Sequence, residues 1–185
     1  MEPVTLETRR LVLRPLAEGD ITAVHLACQD EELQRRVPVP SPYELVHAED
    51  FVREVTPAGW RDETVFNLGV FTRDSGALVS AMGISLRQPR SERIAEVGYW
   101  TAKEQRGNGY TAEAVSELCR WAFETFGVQR IEWLAIVGNI GSRAVAQRVG
   151  FVMEGTLRSR LVHRGERLDA WVGSLLPADL ELRPF

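Results

Sequence analysis

The sequence predicts an α/β (mixed α+β) fold: one mixed sheet with helices packed on its faces. Three observations carry this. Periodicity and turn signals read in the order β-α-α-β-β-β-α-β-α-β-β. A three-strand meander precedes a long amphipathic helix. No repeat, low-complexity tract or linker divides the chain. A length of 185 residues fits one domain, residues 1–185, and 44% hydrophobic with 26% charged residues is ordinary for a globular protein.

The elements follow in order. Residues 8–15 (T-R-R-L-V-L-R-P) alternate and form a strand. Asp20 caps a helix carrying Ile21, Val24, Ala27 and Cys28. A Pro-rich break spans 35–42. A second helix then starts at Ser41 as N-cap, with Pro42 in the first position and Glu44 closing a capping box. Its core face is Leu45, Ala48, Phe51, Val52 and Val55. Strands at 65–72, 77–86 and 94–101 make the meander, the first two joined by the turn 73–76. Residues 110–126 form the long helix, with Ala114, Leu118, Trp121, Ala122 and Phe126 toward the core. A strand at 130–137 and a short helix at 141–149 follow, the helix stopped by Gly150. The strands 151–161 and 166–175 close the chain as a hairpin around His163-Arg164-Gly165.

A net charge of −4 argues against nucleic acid as a partner and fits a cytoplasmic enzyme with a cationic substrate. No run reaches the roughly 18 apolar residues of a membrane span, so no membrane partner is expected. Met1-Glu2-Pro3-Val4 shows no signal peptide. Cys28 and Cys119 read as reduced core thiols. His25 and Cys28 share a helix face, but no second pair completes a metal site.

The segment richest in chemistry is Gln105-Arg106-Gly107-Asn108-Gly109-Tyr110-Thr111-Ala112, between a strand and the long helix. Two glycines at i,i+2 let the backbone turn tightly and aim successive N–H groups at one point. The helix N-terminus adds partial positive charge, and Arg106 a full one. A diphosphate suits such a site. Gly107-x-Gly109-x-x-Ala112 also matches the dinucleotide fingerprint, and a ligand-free turn is the plain alternative. Against the fingerprint, a meander precedes the loop, and Val137-Gly138-Asn139 stands where an acidic residue should end the next strand.

These residues resemble the GNAT superfamily of acyl-CoA-dependent N-acyltransferases, and within it the RimJ/RimL branch of ribosomal-protein alanine acetyltransferases. The resemblance runs through residues 8–15, Glu96-Val97-Gly98-Tyr99-Trp100, residues 106–114, Asn139-Ile140-Gly141-Ser142 and residues 150–155, in order. Two departures stand out: Glu104 replaces a common Gln or Arg, and Thr111 a common Ala. Neither removes a backbone donor.

The resemblance implies a central, mostly antiparallel sheet splayed between the strands 94–101 and 130–137. It implies acetyl-CoA as cofactor, an amine as acceptor, and a homodimer. The cofactor residues it marks are Tyr99, Trp100, Thr101, Arg106, Gly107, Asn108, Gly109, Tyr110, Thr111 and Asn139. It places an oxyanion-binding N–H near Val97–Tyr99, with Gly98 at a bulge or relieving packing against Trp. Catalysis would be direct attack, with Ser142 as acid toward the leaving thiolate and Glu96 as base. Each has a plain alternative: Ser142 and Asn139 as helix-terminal residues, Glu96 as a solvated or ion-paired strand residue. Asp169 and His163 stand in reserve as bases, and Glu154 reads as structural. Tyr99, Trp100, Trp133 and Trp171 are core or substrate cage. A non-catalytic acyl-CoA-binding module and a nicotinamide-nucleotide oxidoreductase are the competing functions.

Amine basicity narrows the acceptor. At pH 7, deprotonating a lysine-type amine of pKa ~10.4 costs ~4.6 kcal/mol, while an α-amine of pKa ~7.8 costs ~1. A protein or peptide N-terminus, or another low-pKa amine such as that of a small molecule, is therefore favoured over a lysine side chain.

Overall fold

A computed structural model describes residues 1–181. Eight strands form one sheet in the order β1-β2-β3-β4-β5-β6-β8-β7. They are β1 (Leu6–Glu7), β2 (Leu11–Arg14), β3 (Val65–Thr72), β4 (Leu78–Leu86), β5 (Ile94–Thr101), β6 (Arg130–Ile136), β7 (Val152–His163) and β8 (Glu166–Leu175). Every neighbouring pair is antiparallel except β5–β6. That parallel pair needs a crossover, and α5 (Tyr110–Phe126) supplies it.

Helices cover both faces. On one lie α4 (Thr56–Arg61), α5, α6 (Ile140–Val149) and α7 (Pro177–Glu181). There Leu118, Cys119 and Ala122 of α5 pack without exposure on Phe66, Leu68, Ile131 and Trp133 of the sheet. Phe66 stacks on Phe126 with ring centroids 4.6 Å apart and meets Trp60 edge-on at 5.0 Å, which ties α4, β3 and α5 together. On the other face, α1 (Ile21–Ala27), α2 (Glu31–Arg36) and α3 (Leu45–Asp50) bury Val24, Leu33 and Ala48 against Phe71, Ala81 and Trp100. The alternation along β5 is as the sequence reads: Val97 and Tyr99 face the first core, Trp100 the second. Both cysteines are free and buried, one on each side of the sheet.

Several sequence expectations need correction. The first strand is shorter than expected, covering only Leu11–Arg14, and β1, which precedes the expected segment, folds back on it after a bend at residues 9–10. Helix α2 was not anticipated. Asp30 caps it, accepting from the N–H groups of Glu32 and Leu33, with acidic residues in its first turn and Arg35 and Arg36 in its last. Ser41 is not an N-cap. Its hydroxyl donates to Gln34, the Tyr43 carbonyl accepts from Gln29, and the Tyr43 ring is buried, so α3 starts only after Glu44. From α3 the chain runs through a π-helical stretch, Phe51–Val55, into α4. Pro57 follows that stretch and has no N–H to continue an α-helical ladder. Leu45 and Val55, expected in the core, are about half exposed.

The sheet's far side is pinned by Glu154 on β7. It accepts from both terminal nitrogens of Arg130 on β6 (2.9 and 2.5 Å) and from the Ser174 hydroxyl on β8 (2.7 Å). Hydrogen bonds from Arg130 and then Ser174 hold its carboxyl at about 2, below the ordinary 4.5. Because the folded-state value is the lower one, this stabilisation is complete above the ordinary value and is lost as pH falls toward 2. The carboxylate is 38% exposed, which limits the effect to at most ~1 kcal/mol. Urea unfolding of Glu154→Gln should therefore show a small loss of stability at neutral pH that disappears in acid; a loss independent of pH would contradict the ion pair.

Candidate active site

The site begins where β5 and β6 part. Their pairing runs from Ile94–Arg130 to Val97–Trp133 and stops, although β5 continues to Thr101 and β6 to Ile136. The pairing with β4 is unbroken across this point, so there is no bulge at Gly98. A Cβ on Gly98 would meet nothing, so packing does not demand glycine there either. What changes at residue 98 is the loss of the neighbour on the other side.

Strand parity says which backbone groups that loss frees. The Ile94 carbonyl accepts from Arg87 and the Ala102 N–H donates to Val79, so even-numbered residues of β5 turn toward β4. Tyr99 and Thr101 turn into the gap. The Thr101 carbonyl accepts from Arg106 at 3.3 Å.

Two cavities meet at the gap. One, of about 360 Å³, lies on the α5–α6 face between the glycine loop, α6 and α2. The other, of about 440 Å³, lies on the opposite face and is lined by Glu96, Gly98, Trp100 and His163. Arg36, Val37, Tyr99, Trp100, Asn139 and Ser142 border both.

Ser142 joins the parted strands. Its carbonyl accepts from the Tyr99 hydroxyl of β5 at 2.8 Å, and its Oγ accepts from Trp133 Nε1 of β6 at 3.0 Å. Its N–H donates to Asn139 Oδ1 at 3.2 Å, making Asn139 the N-cap of α6. Burial, the larger cause, keeps the Tyr99 hydroxyl protonated well above its ordinary range. Ser142 Oγ accepts a hydrogen bond, and its own hydrogen is free to be donated.

The loop has the predicted backbone. Gly107 and Gly109 sit at φ +81° and +74°, where a Cβ is strained. Nothing lies within 4 Å of the Cβ position of Gly107. Arg10 Nη1 donates to the Asn108 carbonyl at 3.2 Å, and the guanidinium carbon Cζ lies 4.5 Å from the centre of the Tyr110 ring. Glu113 holds Arg10 Nε at 2.7 Å and the Thr8 hydroxyl at 2.6 Å. Asn108 Nδ2 donates back to the Gln105 carbonyl, and the Thr101 and Thr111 hydroxyls bond each other at 2.7 Å. The β1–β2 bend and the end of β5 thus brace the loop.

Arg106 differs from the sequence expectation. Its guanidinium is bonded to Asp30 and lies 3.5 Å from Glu32 at the start of α2. Burial opposes the charge on Asp30, yet hydrogen bonds from Arg106 and the α2 amides hold its carboxyl below the usual range. A cation nearer the loop is Arg148 of α6, which has no ion pair among the described residues and whose guanidinium lies 3.3 Å from the Cβ position of Gly109. Sequence reasoning missed it, since nothing in the chain marks a last-turn helical arginine as facing a loop some 40 residues earlier.

Glu96 sits in the second cavity and has no ion pair among the described residues; nearby Arg87 is engaged by Glu132 at 2.7 Å. Burial raises its pKa, partly offset by the charges of Arg87 and Arg160. Of the reserve bases, His163 lines the same cavity and its Nε2 is buried without a partner. Asp169 lines neither cavity; its carboxylate accepts from the Ser159 N–H. Trp100 and Trp133 are largely core and border the gap, while Trp171 lies under Arg143.

A groove ending at an anion-ready loop, open through a sheet to a second pocket, defines a group-transfer enzyme with an extended, phosphate-bearing donor. Residues 10–152 match the family described as "Acetyltransferase (GNAT) domain", and the chain belongs to it. It is an acetyl-CoA-dependent N-acetyltransferase. That membership removes the nicotinamide reading of the loop. YoaA of Bacillus subtilis, an uncharacterized N-acetyltransferase, is 26% identical over 171 residues, 92% of this chain and 96% of its own. RimJ of Mycobacterium smegmatis, solved with a CoA-disulfide, aligns at a TM-score of 0.84 with 22% identity, covering 97% of this chain and 92% of that one. The microcin C7 self-immunity acetyltransferase MccE, solved with acetyl-CoA and AMP, aligns at 0.82 with 18% identity, covering 91% and 93%. These two likenesses establish the fold. Among the described residues no helix is long and apolar enough to cross a membrane.

Gly109→Val should raise the dissociation constant for coenzyme A at least tenfold by calorimetry while the circular dichroism spectrum stays native, because the side chain meets Arg148 and crowds the loop amides. Unchanged affinity would move the phosphate site elsewhere.

Proposed function

We propose that the chain, as a single catalytic domain, transfers acetyl by direct attack to an α-amine, that of a protein or peptide N-terminus or of a small molecule. One observation carries the arrangement: the gap after Val97–Trp133, which opens the loop-side cavity onto the cavity holding Glu96. Bound acetyl-CoA supplies the acetyl thioester. The chain's own residues supply the rest.

The loop amides at 107–111, the α5 N-terminus and Arg148 receive the phosphates. Among the marked residues, Arg106, Asn108, Tyr110 and Thr111 serve by shaping the loop, and Trp100 by closing the gap from the second core. The freed edge of β5 offers the Tyr99 and Thr101 backbone groups to an extended ligand, in the manner of an added strand. The Tyr99 N–H is the oxyanion donor. A fixed backbone donor needs no reorganisation and contributes on the order of 3 kcal/mol in sites of this kind.

Glu96 Oε accepts the proton from the acceptor ammonium, directly or through water. Burial favours this role by raising its basicity toward that of an α-amine. Ser142 Oγ–H holds the proton for the leaving side, polarised by the hydrogen bond from Trp133. A cysteine relay has no support. Burial pushes the Cys28 thiol up to about 11, against a weaker opposing hydrogen bond from Tyr43, and raises Cys119 further. Two buried, unpaired thiols also support a reducing, cytoplasmic setting.

The pH profile tests Glu96. Activity requires its carboxylate, and its raised pKa puts the acidic limb of kcat/KM above the range of an ordinary glutamate. Glu96→Gln should lower kcat by roughly 100-fold or more and abolish that limb; a retained limb would assign the base elsewhere, with His163 the next group in the cavity. Ser142→Ala should lower kcat without raising the cofactor's dissociation constant, and an unaltered kcat would remove the acid role.

A further inference from the structure

Arg36 is the last residue of α2 and borders both cavities. It is half-buried, and among the described residues it has neither a hydrogen bond nor an ion pair. Its setting makes that unusual. Arg106 is taken up by Asp30 and Glu32, Arg87 by Glu132 and Arg130 by Glu154, so the arginines around the site are mostly spent on carboxylates. The carbonyl end of α2 favours a cation at this position, but it does not use the guanidinium's donors.

The direction of the side chain is informative. Arg36 Nη1 lies 3.3 Å from the Cβ position of Gly138, just past the end of β6, so the guanidinium spans from α2 to the far lip of the gap. At this position the guanidinium lies at the lip where the two cavities meet. Asp30, which meets Arg106, stands six residues earlier on α2, roughly 9 Å along its axis. Arg164 of the β7–β8 turn donates to the Gln34 carbonyl at 3.1 Å and holds this end of α2 against the hairpin tip that walls the acceptor cavity. The cavity therefore has an anionic base, Glu96, on the strand floor and a free planar cation at its rim.

We propose that Arg36 is the specificity anchor for the acceptor, binding a carboxylate carried close to the reacting amine. The proposal rests on the acceptor cavity assigned above. It deepens that reading by naming the substrate class: a zwitterionic acceptor, ammonium toward Glu96 and carboxylate toward Arg36. Guanidinium matches carboxylate through two parallel hydrogen bonds, which a lysine cannot reproduce. The carboxylate has two sources: an acidic side chain beside the N-terminal residue of a peptide, or the α-carboxylate of a free amino acid.

The test measures kcat/KM by thiol release with acetyl-CoA for two matched acceptor pairs. The first is Ala-Glu-amide against Ala-Gln-amide; the second is alanine against alaninamide. Each ratio is taken in the wild type, Arg36→Met and Arg36→Lys, and the ratio of ratios cancels differences in amine basicity. The wild type should prefer the carboxylate member of one pair, which identifies the source, by roughly 10- to 100-fold. In Arg36→Met the preferred pair should converge, and Arg36→Lys should restore part of the preference. The proposal is overturned if the wild type does not discriminate in either pair, or if Arg36→Met slows both members equally. It is also overturned if the Arg36→Met dissociation constant for coenzyme A rises in step with the loss, which would make Arg36 a cofactor residue. Silence of the wild type toward every amine while coenzyme A binds would defeat the proposed function itself; turnover without discrimination would defeat only the Arg36 assignment.

Discussion

The structure depends on the parting of β5 and β6, a gap that Ser142 bridges by bonding to both strands. β5 and β6 are the sheet's one parallel pair, and they share only four registered positions. Past Trp133, β6 keeps β8 as its partner, and β5 keeps β4. Tyr99 and Trp133, one from each strand, both reach the first turn of α6 and bond to the same serine. The Asn139 cap fixes that serine's N–H in turn. Directional hydrogen bonds thus bridge the gap on the α6 side, where a broken bond leaves an unsatisfied polar atom. An unpaired strand edge is a liability on a protein surface. Inside this cleft it is the edge along which the proposed cofactor arm would pair.

The same logic organises the glycine loop. Its amides are left without side-chain competitors by Gly107 and Gly109, yet its position is not left to chance. Arg10, braced by Glu113, bonds the Asn108 carbonyl, and the Thr101–Thr111 pair ties the strand end to the helix start. The α5 dipole then points at a loop whose atoms are already placed. Such preorganisation reduces the ordering that a charged ligand must impose on binding.

Much of this was legible in the sequence because local chemistry decided it. Glycines at i,i+2 before an amphipathic run fixed the loop and the start of α5, and Gly150 fixed the end of α6. Alternation along β5 correctly separated Glu96 and Trp100 from Val97 and Tyr99. What failed was decided by partners distant in sequence. Arg106 turns to Asp30 because α2 folds over the loop, and α2 was not foreseen although the Asp30 cap and its acidic first turn were present. Ser41 has the chemistry of an N-cap, but Gln34 claims its hydroxyl and the buried Tyr43 delays the helix. Gly98 invites a bulge that the unbroken β4 ladder does not contain.

The account stands most directly on the freed backbone of β5. Amide hydrogen exchange, resolved to single residues with and without saturating coenzyme A, measures it. The account predicts that the Tyr99 and Thr101 amides exchange readily in the free protein and become protected by ligand, while Gly98 and Trp100, already facing β4, change little. Equal protection of all four before ligand, or none gained at Tyr99 and Thr101 after it, would contradict the claim that the cofactor arm lies in the gap as an added strand.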